Sequence, residues 1–139
     1  MAIKILYAEN DEFARKFDSC TLKELGFKVD VAEDGQEAWE AYQKGKYDLL
    51  LLDGQMPNKT GEEVMRLVRA QGDHIAIVIY SSMPDYNLLF DGIDECIEKG
   101  CSPEELQQRI LAAYERSLSK RSVDNTPPKK SWGSIFSKK

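Results

Sequence analysis

Hydrophobic and polar positions along this chain follow two rhythms in turn: short apolar runs, and longer stretches with apolar residues three or four apart. Residues 3–8 (IKILYA) predict a first strand, and Glu9, Asn10, Asp11 and Glu12 follow it at once. From Asn10 onward, Phe13, Phe17, Leu22 and Leu25 recur at helical spacing and predict a helix with these residues on its apolar face, stopped by Gly26. Residues 27–32 alternate as a second strand. Asp34, with Glu37 three residues on, predicts the start of a second helix whose apolar side is Ala38, Trp39, Ala41 and Tyr42, ending at Gly45.

Four consecutive leucines, Leu49 to Leu52, predict a third strand buried on both faces. Thr60 and Glu63 form a capping box for a third helix through Val64, Leu67 and Val68, ending near Gly72. Residues 75–80 (IAIVIY) predict a fourth strand, followed by Ser81 and Ser82. Pro84 opens a short helical piece carrying Leu88, Leu89 and Phe90, closed by Gly92. A brief fifth strand covers about residues 95–98. Ser102, Pro103 and Glu105 then start a last helix through Leu106, Ile110, Leu111, Tyr114 and Leu118.

Five strands alternating with five helices predict an α/β fold, a doubly wound five-stranded parallel sheet with helices on both faces. The order of the strands is not visible in this pattern. At 139 residues the chain suits one domain, residues 1–119, with a tail over residues 120–139. The apolar share of 42% is that of a soluble globular protein, and no apolar run approaches the length of a membrane span. A secretory signal is not expected from the start of the chain, and three cysteines without a CxxC pair argue against a disulfide framework or a zinc site; a cytoplasmic location is expected.

Charge separates the two parts. Residues 1–119 hold 13 basic against 23 acidic residues, whereas residues 120–139 hold six basic residues against Asp124 alone. An acidic body argues against nucleic-acid binding by the folded part. The tail, with Pro127, Pro128 and several serines, reads as a basic disordered tether. Within it Trp132, Ile135 and Phe136, bracketed by lysines, suggest a docking peptide or weak contact with an anionic membrane; a solvated tail with no target is the plain alternative.

Candidate chemistry gathers at the strand ends. Asp53 closes the leucine run, and Gly54, Pro57 and Gly61 turn the backbone out of the sheet just after it. A carboxylate there stands where open α/β sheets bind ligands, although a residue that merely starts the loop would look the same. Glu9 and Asn10 follow the first strand, Ser81 the fourth and Lys99 the fifth. In a parallel sheet all these ends lie on one edge, so carboxylates, an amide, a hydroxyl and an ammonium converge if the first and third strands are neighbours.

In their order and spacing, ILYAEND, LLLLD with GQMP, the later Gly61, the hydroxyl of Ser81 and the lysine of GIDECIEKG resemble the receiver domain of two-component response regulators. The resemblance covers about residues 2–119. It implies the flavodoxin-like strand order 2-1-3-4-5, with Asp53 as phosphoacceptor, Lys99 contacting the phosphoryl group and Ser81 following it. It further implies Mg²⁺ held by Glu9, Asn10, Asp53 and the main-chain carbonyl of Gln55. The expected function is a single-domain response regulator in a phosphorelay: a signalling protein rather than an enzyme, taking its phosphoryl group from a histidine kinase, a phosphotransfer protein or a small phosphodonor and acting on a downstream target protein. The alternative is a pseudo-receiver that binds partners without phosphorylation. A small phosphotransfer or phosphatase-type enzyme is a third reading, weakened by the absence of a lid insertion and of a second acid after Asp53.

Several positions depart from the family pattern. Asn10 replaces a metal-binding aspartate, so weakened Mg²⁺ affinity is expected, unless Asn10 simply caps the first helix. Cys96 stands in for an aromatic residue and reads as a buried thiol, as does Cys101. Gly100 replaces a proline, and the segment from Ser81 to Lys99 is about four residues, one helical turn, shorter than usual. His74 reads as an exposed spectator and Trp39 as packing.

Overall fold

The computed structural model describes residues 2–87 and 92–124, and the side chains through residue 120. Its elements are β1 (Lys4–Ala8), α1 (Glu12–Glu24), β2 (Lys28–Ala32), α2 (Gly35–Lys44), β3 (Leu49–Leu52), α3 (Gly61–Ala70), β4 (Ala76–Ser81), β5 (Glu95–Glu98) and α4 (Pro103–Asp124). The strands form one parallel sheet in the order β2-β1-β3-β4-β5. Leu49 pairs with Ile5 on one side and Ala76 on the other. The leucine run is therefore central, and all four leucines are fully buried.

Alternation along the strands divides the core into two layers. Leu6, Leu50, Leu52, Ile77 and Ile79 face α2 and α3, where Val64, Met65 and Val68 meet them. Ile5, Tyr7, Leu49, Leu51 and Val78 face the other way, against Leu22 of α1 and Leu106, Ile110 and Ala113 of α4. The period of two in the strands thus supplies one apolar face to each helical layer.

The helix starts follow local chemistry. Asp34 accepts from the Glu37 N–H, Thr60 and Glu63 cap each other, and Ser102 accepts from the Glu105 N–H. Three expectations change. Asp11, not Asn10, caps α1, accepting from the Ala14 N–H at 2.8 Å. Phe13 and Phe17 do not face the core: they are 77% and 61% exposed and stack on each other at 6.2 Å. α1 instead turns Ser19 and Leu22 inward, with Ala14, Arg15 and Asp18 half-buried, because the chain leaving β1 sets the helix's rotation and apolar spacing alone does not. Finally, α4 runs on to Asp124, past the Leu118 end expected from its apolar residues.

Between β4 and β5 the described residues hold only a short 3₁₀ turn at 86–87. Leu88, Leu89 and Phe90 lie outside the described residues, as do Trp132, Ile135 and Phe136. Gly100 takes φ +104°, a left-handed conformation closed to proline, which accounts for glycine there. Cys96 is fully buried with its thiol toward the Asp85 carbonyl at 3.6 Å; Cys101 and His74 are half-buried and Cys20 is exposed. No helix among the described residues is long and apolar enough to cross a membrane.

Candidate functional site

Glu9, Asp53 and Lys99 come together at the carboxyl edge of the sheet, delivered by the ends of β1, β3 and β5. Main-chain bonds carry the sheet ladder one step past the strands: the Glu9 N–H donates to Ala32, the Asp53 N–H to Ala8 and the Lys99 N–H to Ser81. Each functional side chain is thereby set by the sheet and not by a free loop. Glu9 is 2% and Asp53 7% exposed, a costly placement for two carboxylates without a cation. Lys99 supplies it: its Nζ donates to Glu9 Oε1 and lies 3.5 Å from Asp53 Oδ2.

Burial pushes the Asp53 carboxyl above the ordinary carboxylate range; the Gln55 N–H and Lys99 pull it down and Glu9 pushes it up again. Burial works against the Lys99 ammonium, but the bond to Glu9 and the charge of Asp53 outweigh it and hold its pKa above the ordinary value. A raised acid pKa means that the folded state favours the protonated form. The stability this contributes is complete below the ordinary pKa and is lost as pH rises through the raised one. Without divalent cation, Asp53→Asn is therefore expected to melt above wild type at pH 7, the two melting curves converging below about pH 4. A gap that stayed constant across this range would contradict a buried, ionised Asp53.

The remaining predicted residues take different places. Ser81 ends β4 and is buried, its Oγ accepting from the Met83 N–H, and a methyl on Gly54 would stand 3.7 Å from that oxygen. It thus faces the loop just past Asp53, with no described bond to Asp53 itself. A crevice of about 140 Å³ opens there, lined by Gly54, Gln55, Thr60, Ser81 and Met83 among others. The Gln55 N–H donates to Asp53 Oδ1 at 3.1 Å and orients the carboxylate. Asn10 has an exposed side chain beside Glu9, and its carbonyl, like that of Glu9, accepts from Arg15.

Sequence reasoning missed Tyr7 and Asp18. The Tyr7 ring is fully buried in β1, and its hydroxyl donates to Asp18 of α1 at 2.7 Å, beneath the site. A tyrosine inside an otherwise aliphatic run was the available signal; its partner depends on the rotation of α1.

The donor set suits a hard divalent cation of the kind that keeps several waters. Among the described residues no three His, Cys, Asp or Glu side chains form a metal cage. Two carboxylates that repel each other, with main-chain carbonyls nearby, match the one or two carboxylates that Mg²⁺ takes from a protein.

Comparison with known proteins agrees with this geometry. A family model described as a response regulator receiver domain matches residues 5–111. The response regulator ArlR of Staphylococcus saprophyticus is 32% identical over 124 residues, covering 87% of this chain and 56% of ArlR. Protein RcaC of Microchaete diplosiphon is 30% identical, covering 96% of this chain but 20% of RcaC. The chain thus spans less than two thirds of these curated relatives. Among solved structures, the receiver domain of the Francisella response regulator 1452 superimposes with a TM-score of 0.76 at 28% identity, covering 83% of this chain and 98% of that one. The response regulator TrrA of Thermotoga maritima, solved in complex with Mg²⁺ and BeF, gives 0.75 at 28% identity, covering 81% and 99%.

Proposed function

The chain belongs to the response regulator receiver family, and from that premise we propose that it is a phosphorylation-driven signalling module with Asp53 as the acceptor. An Asp53 carboxylate oxygen attacks the phosphorus of a phosphohistidine in a kinase or phosphotransfer protein, or of a small phosphodonor. The new P–O bond forms as the bond to the donor breaks, and the leaving group departs with its electron pair, leaving an acyl phosphate. The Gln55 N–H holds one carboxylate oxygen so that the other can point into the crevice.

Positioning and charge neutralisation dominate this chemistry. Glu9, Asp53 and the Gln55 carbonyl would hold Mg²⁺, with Asn10 able to add an amide oxygen but no charge. Bound there, the cation would offset the negative charge shared by the carboxylates and the phosphoryl oxygens. Lys99, already between the two carboxylates, has only to extend toward the crevice to meet the transferred group. Ser81 lies on the crevice wall, where its hydroxyl can donate to a phosphoryl oxygen and draw the segment after β4 with it. Signalling then runs through protein contacts in the cytoplasm, where the kinase and the downstream target would be met.

The observation that supports this reading most directly is the bridge of Lys99 across two buried carboxylates from β1 and β3. The test is intact mass after incubation with acetyl phosphate and Mg²⁺. Wild type is expected to gain about 80 Da, the mass of the transferred phosphoryl group, and Asp53→Asn to gain nothing. No adduct on either protein would overturn the phosphoacceptor reading and leave the phosphorylation-independent adaptor.

A further inference from the structure

Below Lys99, on the α1 and α4 side of the sheet, lies a polar pair unrelated to the phosphoacceptor's own contacts. The fully buried Tyr7 donates its hydroxyl to Asp18 Oδ2 at 2.7 Å, which fixes that carboxylate on the inner side of α1. The Tyr7 ring lies 6.5 Å from the Tyr80 ring, and Lys99 Nζ sits 5.7 Å above the Tyr80 ring. Asp18, Tyr7, Tyr80 and Lys99 thus form a chain of neighbours that ends at the ammonium of the site. Resting on the receiver reading above, we propose that Asp18, clamped by Tyr7, is a positioning carboxylate that draws on Lys99 and supplies the acid pocket with negative charge that Asn10 does not carry.

Three observations support it. Asp18 is half-buried and has no ion pair of its own among the described contacts; burial pushes its carboxyl above the ordinary range, while the Tyr7 hydroxyl and the charge of Lys99 pull it down. The titratable groups whose charge reaches it are Tyr7 of β1, Glu9 just after it, Tyr80 of β4, Lys99 after β5 and Cys101 before α4, and Lys99 alone of these is positive. Lys99 is engaged by both Glu9 and Asp53, which takes from each part of the charge that a divalent cation would use. A third carboxylate whose charge reaches the ammonium returns some of that charge to the pocket. Through-space interactions of this kind persist because the groups are shielded from solvent and screened little by salt.

The test is calorimetric titration of the whole chain with Mg²⁺, free of phosphodonor. Asp18→Asn keeps an acceptor for the Tyr7 hydroxyl and removes only the charge; it is expected to weaken Mg²⁺ about tenfold, the scale of outer-shell partners of metal sites. Tyr7→Phe, which frees Asp18 but keeps its charge, should give a loss smaller than that of Asp18→Asn. Asp30→Asn is the control: Asp30 is likewise held by a tyrosine hydroxyl, Tyr47 at 2.8 Å, but on the edge strand β2, and its removal should leave the affinity unchanged. Thermal melting accompanies each variant, and a loss of affinity without a loss of melting temperature separates a charge effect from damage to the fold. Wild-type affinity in Asp18→Asn would overturn the inference while leaving the receiver reading intact. Absence of Mg²⁺ binding by wild type itself would overturn the cation site and the inference together.

Discussion

Asp94→Ala is expected to cost about 3–5 kcal/mol of folding stability, the scale seen when one member of a buried ion pair is removed. The Asp94 side chain is 1% exposed and accepts from three donors. Arg69 of α3 reaches Oδ2 at 3.0 Å, the Ile77 N–H donates to the same oxygen at 2.8 Å, and Lys120 of α4 meets Oδ1 at 2.8 Å. Arg116 adds a bond to the Asp94 carbonyl. One carboxylate therefore fastens α3, β4 and α4 at the start of β5. Alanine would leave the Ile77 N–H without its acceptor and Arg69 without its counter-charge, although burial already pulls the Arg69 pKa down. Arg69 would keep its bonds to the Gly92, Asp73 and Ile75 carbonyls, so the fold should loosen and not collapse. Denaturant unfolding measures the loss, and a change below about 1 kcal/mol would show that these contacts brace nothing. The site lies at the other end of β5, so phosphoryl uptake per folded molecule should persist at low temperature.

Asp94 also marks what the sequence could and could not disclose. Elements dictated by local chemistry were legible: the leucine run, the Thr60–Glu63 box and the Asp34 and Ser102 caps all appear where their residues place them. So was the convergence of Glu9, Asp53 and Lys99, because a parallel sheet must put those strand ends on one edge. Contacts set by the rotation of a packed helix were not. Phe13 and Phe17 have helical spacing with Leu22, yet the turn at Glu9 to Asp11 directs them outward and Asp18 inward. Asn10 and Asp11 are both good caps, and only the backbone path decides that Asp11 acts. The three cations around Asp94 come from residues 69, 116 and 120, a grouping no local pattern announces.

Gly35→Ala should impair both stability and phosphoryl transfer, because Gly35 is where α2 meets the loop that carries Asp53's neighbours. A methyl there would stand 1.9 Å from the Lys59 carbonyl oxygen and 2.5 Å from its carbon. Neither atom can yield as a flexible side chain would. The loop is fastened to α2 beside the clash, since Asn58, at φ 70°, donates from Nδ2 to Asp34 at 2.8 Å. It has little room on its other side either, because a methyl on Gly61 would come within 2.8 Å of the Asp53 carbonyl. Relief requires a shift of about 1 Å in the loop, costing roughly 1–3 kcal/mol as over-packing does. The same shift moves Gln55, whose N–H orients the Asp53 carboxylate. Misplacement by about 1 Å can slow a positioned reaction about a hundredfold. The expected result is therefore a folded but less stable protein whose uptake from acetyl phosphate falls by about that factor. A rate within threefold of wild type, beside a clear loss of stability, would mean that the loop yields without carrying Gln55, and that the carboxylate is oriented by the sheet alone.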